Sequence, residues 1–249
     1  MQPLELAGER HIAIKDRGKL YRFTLSPITR ELWMKYFDGI VSTSENRGDE
    51  QINVLDAGSP LLALVNEALI GAGGYKLPEG TGQINEIADW KAKLPFAHRL
   101  AVGQVLTRVA QSARFEDDEE AMMPGIDSVR LEALWNCDLN GVMALYRPLV
   151  HNFQTPQFEH ERRYMRDQAR SKVVGGSRTG KTVWMGVQRT LAEIYDELIE
   201  SVEGYTFDGS RLGHPNITRC MDTYHKVVAA RQLFSAPQLD PAEEAMEAA

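Results

Sequence analysis

Leu20-Tyr21-Arg22 returns in this chain as Leu145-Tyr146-Arg147, Glu67 and Gly74-Tyr75 return as Glu197 and Gly204-Tyr205, and His98-Arg99 returns as His225-Lys226. The offsets are nearly constant: 145 − 20 = 125, 205 − 75 = 130 and 225 − 98 = 127. A long period with small drift is what duplication followed by loop insertions and deletions leaves behind. The 249 residues have room for two units of roughly 100 to 150 residues, each able to bury a core. The expected division is a first unit over 1–115, an acidic linker over 116–124, a second unit over 125–236, and a tail over 237–249. That tail is rich in Pro, Ala and Glu and is expected to be disordered.

Around these anchors the pattern predicts the same elements twice. His11 to Lys15 alternate apolar and polar, Asp16-Arg17-Gly18-Lys19 supplies a turn, and Leu20 to Leu25 resume the alternation, which predicts a β-hairpin. Ser26-Pro27 then reads as an N-cap followed by proline at the first helical position. The helix it opens carries an apolar stripe of Ile28, Leu32, Trp33, Tyr36 and Phe37. Val41 to Gly58 read as polar and irregular. Ser59-Pro60 repeats the start signal for a helix with Leu61, Leu64, Val65, Ala68 and Leu69 on one face, ended by Gly71, Gly73 and Gly74. A short helix is expected near Ile84 to Lys93, and Pro95 opens a longer one through Phe96, Leu100, Val105, Leu106 and Val109.

In the second unit Val129 to Asn136 and Val142 to Val150 flank the turn Asp138-Leu139-Asn140-Gly141. Thr155-Pro156 starts a charged helix, Thr190 to Ser201 match the helix at Pro60 to Gly71, and Asn216 to Phe234 match the last helix of the first unit. The expected class is therefore α+β: two tandem homologous halves, each a hairpin followed by about three helices.

A hydrophobic content of 43% and a charged content of 25% are those of a soluble globular protein. No apolar run approaches 18 residues and no signal-peptide pattern opens the chain, so a membrane role is not expected. Two cysteines, Cys137 and Cys220, are too few for a disulfide framework, and a reducing cytoplasm is the expected compartment. The net charge of −7 argues against nucleic acid as a partner for the whole surface. Charge is uneven, however: Glu116 to Glu120 form an acidic block, and Glu159 to Lys181 carry seven basic against three acidic residues.

Gly175-Gly176-Ser177-Arg178-Thr179-Gly180-Lys181-Thr182 satisfies G-x-x-x-x-G-K-[ST] and resembles the Walker A motif of P-loop nucleotide hydrolases. That resemblance implies a site for Mg-ATP or Mg-GTP, with Gly175 and Gly180 in the phosphate loop, Lys181 on the β and γ phosphates and Thr182 on the metal. The surroundings argue otherwise. Gln168 to Val174 offer only two residues suited to the buried strand such a loop needs, and no apolar run ending in Asp follows. Subtracting 130 maps the motif onto Glu45 to Ile52, expected to be an ordinary polar connector.

Other chemistry is thin. Gly175-x-Ser177-x-Thr179 lacks the final glycine of a nucleophile elbow, and the six histidines show no metal-ligand spacing, so neither catalytic nor metal-binding residues are assigned. His98 and His225, at equivalent positions, are expected to share a packing or hydrogen-bonding role, with Tyr75 and Tyr205 as helix-end anchors. Arg163, Arg166 and Arg170 share one helical face, whereas the first-half helix carries a balanced mix of Arg30 and Lys35 with Glu31 and Asp38. This arginine face is expected to dock an acidic protein segment, with Glu116 to Glu120 as an intramolecular competitor.

With the hairpin, the Leu25-Ser26 step and the helical Arg30-Glu31 in view, the opening of the chain resembles the small tail-assembly chaperones of tailed bacteriophages. The likeness covers about 40 residues in each half. It implies a non-enzymatic protein that binds tape-measure or tail-tube components in the host cytoplasm. The chain departs from such chaperones in its length and its duplication.

Overall fold

The hairpin at the head of the chain forms as its alternation dictates. In the computed structural model, which describes residues 3–47, 50–76, 84–111, 126–134, 137–138, 146–171, 181–183 and 187–234, a two-residue strand β1 (Leu4–Glu5) precedes it. Strands β2 (Arg10–Asp16) and β3 (Lys19–Leu25) then pair antiparallel from Arg10↔Leu25 to Asp16↔Lys19. Arg17 and Gly18 turn the chain at φ of 47° and 75°, the two positive values that a tight hairpin of this hand requires. Ile12, Ile14, Phe23 and Leu25 lie on the buried face.

After β3, nonlocal bonds displace the first helix start expected from the sequence. The Ser26 backbone N–H and hydroxyl both donate to the carbonyl of Ala68, at 2.8 and 3.1 Å. Ser26 is thereby unavailable as a cap, and helix α1 (Arg30–Gly39) begins at Thr29, whose hydroxyl accepts from the Leu32 N–H. Val41 to Gly58 are not irregular: they form the hairpin β4 (Val41–Arg47) and β5 (Glu50–Asp56). Helix α2 (Gly58–Ala68) then opens one residue before Ser59, where the Asp56 carboxylate accepts the Ser59 N–H at 2.9 Å. That bond holds the Asp56 carboxyl below its ordinary range.

Leu69 to Gly73, expected as the end of this helix, form strand β6, which pairs with β3. Ile84 to Lys93 are a 3₁₀ turn (Ile84–Glu86) and a single-turn helix α3 (Trp90–Lys93), followed by α4 (Phe96–Thr107) and β7 (Val109–Gln111).

The second series runs β8 (Ile126–Leu134), β9 (Cys137–Asp138), β10 (Tyr146–Gln154), α5 (Phe158–Ser171), β11 (Lys181–Val183), α6 (Val187–Leu198) and β12 (Ile199–Glu203). It ends with β13 (Tyr205–Phe207), β14 (Ser210–Arg211), α7 (His214–Cys220) and α8 (Thr223–Leu233). Two expectations change here. Ile199 to Glu203 are strand rather than helix, and Asn216 to Phe234 split at Met221-Asp222, where Asp222 accepts the Tyr224 N–H and caps α8. Ile126–Leu134 and Tyr146–Gln154 pair along their length, and of the expected turn Asp138 instead lies in β9, paired with Lys15, while 139–141 lie outside the described residues. So do the 116–124 joint and the 237–249 tail.

The class is α+β, with four small sheets ordered β6-β3-β2-β9, β12-β10-β8-β7, β11-β4-β5 and β1-β13-β14. The first two match in register. Arg22↔Gly73, Phe23↔Ala72, Thr24↔Gly71 and Leu25↔Leu69 correspond to Val150↔Glu203, His151↔Val202, Asn152↔Ser201 and Phe153↔Ile199, with a register shift before the last pair in both. Strand exchange ties the two series together: β9 adds to β2, β7 adds to β8, and β1 adds to β13. A single core results. Trp33 and Phe37 of α1 pack on Tyr224 of α8, with ring centroids at 5.0 and 5.9 Å. Among the described residues no helix is long and apolar enough to cross a membrane.

One close helix contact yields a sign test. A Cβ on Gly103 of α4 would lie 2.5 Å from Cγ of Leu61 on α2. Alanine is favoured over glycine in a helix by about 1 kcal/mol. Gly103→Ala is nevertheless expected to lower stability, by about 1 to 3 kcal/mol through overpacking, as measured by urea unfolding. An unchanged or raised stability would show that Leu61 moves aside freely.

Candidate functional site

Gly74 and Gly204 each end a strand at positive φ, 93° and 84°, and each brings a tyrosine into the core. Tyr75 and Tyr205 are thus strand-end anchors, not helix-end ones, and each meets a histidine, a pairing the sequence reading did not anticipate. The Tyr75 hydroxyl lies 2.6 Å from Nδ1 of His98, and the Tyr205 hydroxyl lies 2.8 Å from Nδ1 of His225. The hydrogen-bonding role expected of the two histidines is what the geometry displays. Both are buried, at 3% and 1% exposure.

The two tyrosine–histidine pairs differ in what completes them. In the first, Nε2 of His98 is 3.2 Å from Asp16 Oδ2, an arrangement in which the imidazole donates to the carboxylate and accepts from Tyr75. The strand registers place Ala133 where Asp16 stands, and Nε2 of His225 is buried with no hydrogen-bond partner among the described residues. The registers also place His151 where Phe23 stands. His151 Nε2 lies 3.0 Å from the Tyr205 hydroxyl, and its Nδ1 lies 2.9 Å from the Tyr195 hydroxyl.

Tyr195, His151, Tyr205 and His225 therefore form one buried chain of hydrogen bonds that can run in either direction with both imidazoles neutral, ending at Nε2 of His225, unpaired among the described residues. Burial, reinforced by the other histidine for His151 and by Arg10 for His225, pushes each imidazole down to about 3. The phenols of Tyr195 and Tyr205 are pushed well up by the same burial. Sequence reading missed His151, because a buried strand histidine has no motif. Its only signal is its position opposite Phe23 once the offset of 128 is applied (151 − 23).

The arginine face of α5 divides in the structure. Arg163 turns toward α6, where Nη1 donates to both carboxylate oxygens of Glu197 at 2.8 Å and Nη2 donates to Glu193 at 3.4 Å. Lys35 and Glu67 make the corresponding pair in the first series, at 2.8 Å. Arg163 is thus the counterpart of a first-half ion pair rather than an unmatched docking charge. Arg166 stays half exposed and donates to Asp167. The side chain of Arg170 lies outside the described residues.

The outermost stripe of α5 carries Phe158, Arg162 and Met165, at spacings of four and three. Phe158 is 77% exposed and Met165 62%. Beneath them Tyr164 is buried and stacks on Phe234 at 4.8 Å.

Of the Walker-like segment, Gly175 and Gly180 lie outside the described residues. Lys181 and Thr182 are in strand β11, paired with Thr43 and Ser42 of β4. A phosphate loop requires strand, loop, then helix, with the Lys-Thr step in the first helical turn. Here the order is helix α5, connector, strand, so Lys181 and Thr182 sit on an extended edge without a helix start to aim N–H groups at a phosphate. Comparison with protein-family models, with curated proteins and with solved structures found no match for this chain.

Proposed function

We propose that this chain is a non-enzymatic assembly or interaction protein of the phage or prophage tail-assembly kind, acting in the host cytoplasm, and that it docks an acidic protein segment on the outer face of α5. The matching registers, glycine turns and tyrosine–histidine pairs support an origin by internal duplication. The observation that carries the docking reading is the exposure of Phe158 and Met165 beside Arg162 and Arg166. Covering a large apolar side chain contributes about 1.5 to 3 kcal/mol. Among the described residues the two arginines are held by Glu159 and Asp167 in pairs exposed to solvent, a type worth about 0 to 1 kcal/mol. A partner carboxylate can replace such a pair at little cost.

The test is co-expression with a tape-measure or tail-tube protein encoded beside this chain, followed by size-exclusion chromatography and affinity measurement. Phe158→Ser with Met165→Ser is expected to weaken the complex by a hundredfold or more, on the order of 3 kcal/mol. Arg166→Glu is expected to weaken it about tenfold. Absence of any complex, or one indifferent to all three changes, overturns the reading. Calorimetry with Mg-ATP and Mg-GTP is expected to show no binding. Saturable heat that disappears in Lys181→Ala would establish the nucleotide reading instead.

A further inference from the structure

A cavity of about 580 Å³ opens between the N-terminal residues, the start of α1 and the α7–α8 junction. Its size falls in the range of small-molecule sites, about 300 to 1,000 Å³. Four cationic side chains line it, Arg10, Arg30, Arg219 and Lys226, against two carboxylates, Glu5 and Asp222.

Both carboxylates are already committed. Glu5 accepts from the N–H groups of Ala7, Asp208 and Gly209 and from the Thr206 hydroxyl, all at 2.9 to 3.0 Å, clasping β1 to the β13–β14 turn. Burial works against this carboxylate's charge, but the four donors together leave the group below its ordinary range. Asp222 spends Oδ1 on capping α8, and its Oδ2 lies 3.6 Å from Arg10, beyond hydrogen-bond reach. Behind the wall, Asp196 serves two cations at once, Lys226 at 2.6 Å and Arg30 at 3.9 Å.

Two guanidinium groups are left under-used. The Arg10 side chain is only 19% exposed, and among the described residues its charge partner is Asp222 at that long distance. A guanidinium offers five N–H donors, so one whose carboxylate lies at 3.6 Å has donors to spare for an anion in the cavity. Arg219, exposed on α7 at the rim, has no carboxylate paired with it among the described residues. A planar guanidinium at the floor and another at the rim match the oxygens of an anion reaching into the cavity.

We propose that this cavity binds a small doubly charged oxyanion, a phosphate monoester or a dicarboxylate, held by Arg10 and Arg219. The site is separate from the α5 face and does not rest on the docking reading.

The probes are inorganic phosphate and succinate, each titrated at pH 7.5 against sodium chloride of equal ionic strength while the thermal midpoint is followed. One or both anions are expected to raise the midpoint by about 5 °C, rising with the logarithm of concentration above the dissociation constant, as linkage to a native-state ligand requires. The arm that responds identifies the anion class. Arg219→Gln, on an exposed residue, and Arg10→Gln are each expected to weaken the fitted affinity about tenfold. Lys181→Ala is expected to leave it unchanged. Should neither anion act beyond chloride, the proposal falls. It also falls if the midpoint rises linearly with concentration and equally in Arg219→Gln, because that behaviour is general salt exclusion.

Discussion

Acidification from pH 7 to pH 4.5 is expected to unfold this protein cooperatively, with His151 and His225 as the cause. An unfolded histidine takes up its proton near pH 6.5, whereas each of these buried imidazoles does so only at about 3. Between those values the unfolded state binds more protons than the native one, so stability is full above pH 6.5 and falls as the pH drops toward 3. Each group contributes up to about 1.4 kcal/mol per pH unit. Two of them remove about 5 kcal/mol by pH 4.5, a large share of the 5 to 15 kcal/mol typical of a domain.

Asp222 opposes them. Burial raises its carboxyl despite Arg10 and the Tyr224 N–H, so it favours the native state on acidification, but it is one group against two. Urea titrations at a series of pH values measure the slope directly. His151→Phe, which installs the residue found at the matching position 23, is expected to lower stability at pH 7 and to halve the slope between pH 6 and 4.5. Equal slopes in both proteins would mean that His151 is hydrated and titrates normally.

Gly204→Ala is expected to cost about 2 to 4 kcal/mol, combining left-handed strain with a clash. A Cβ there would lie 2.5 Å from the Pro148 carbonyl oxygen and 3.0 Å from Cδ2 of Leu149, at a φ of 84°. Neither neighbour can retreat easily: Pro148 and Leu149 belong to β10, which is bonded to β8 on its far side. The displacement would also move Tyr205, whose hydroxyl serves both His151 and His225. Gly209 provides the control, since its φ is 70° but nothing lies within 4 Å of its added Cβ. Gly209→Ala is expected to cost only about 1 kcal/mol. Thermal melts of the two variants separate the contributions, and equal losses would mean that the β10 contact is soft.

How far the sequence could be read depended on whether the governing interaction was local. The first hairpin was legible because alternation and an Arg17-Gly18 turn act within a few residues, and the apolar stripes of α1 and α2 were legible for the same reason. The start of α1 was not, although Pro95 does open α4. Ser26 has every local qualification for a cap, yet its hydroxyl is taken by Ala68, 42 residues away. Leu69 to Gly73 continue an apolar helical pattern, and only the proximity of β3 makes them a strand. Lys181-Thr182 completes a motif that assumes a helix, and pairing with β4 makes it a strand.

Among the site residues, tertiary structure brought each tyrosine to its histidine; the spacing of the repeat alone only matched Tyr75 with Tyr205 and His98 with His225, because a fixed offset records shared geometry without requiring that geometry to be known. It connected Lys35 and Arg163 with their glutamates less well, since arginine and lysine at different points of a charged helix look like surface composition. What the sequence by itself determined was the α+β class, the first hairpin and the apolar faces, all properties of residues near one another; the Leu20-Tyr21-Arg22 anchor matches Pro148-Leu149-Val150 in register, not Leu145-Tyr146-Arg147. Tertiary structure alone decided that strands β1, β7 and β9 cross between the two series, that His151 joins the buried tyrosines, and that four cations converge on one cavity. Those outcomes depend on which distant surfaces meet, and the free energy of meeting is set by the partner as much as by the residue.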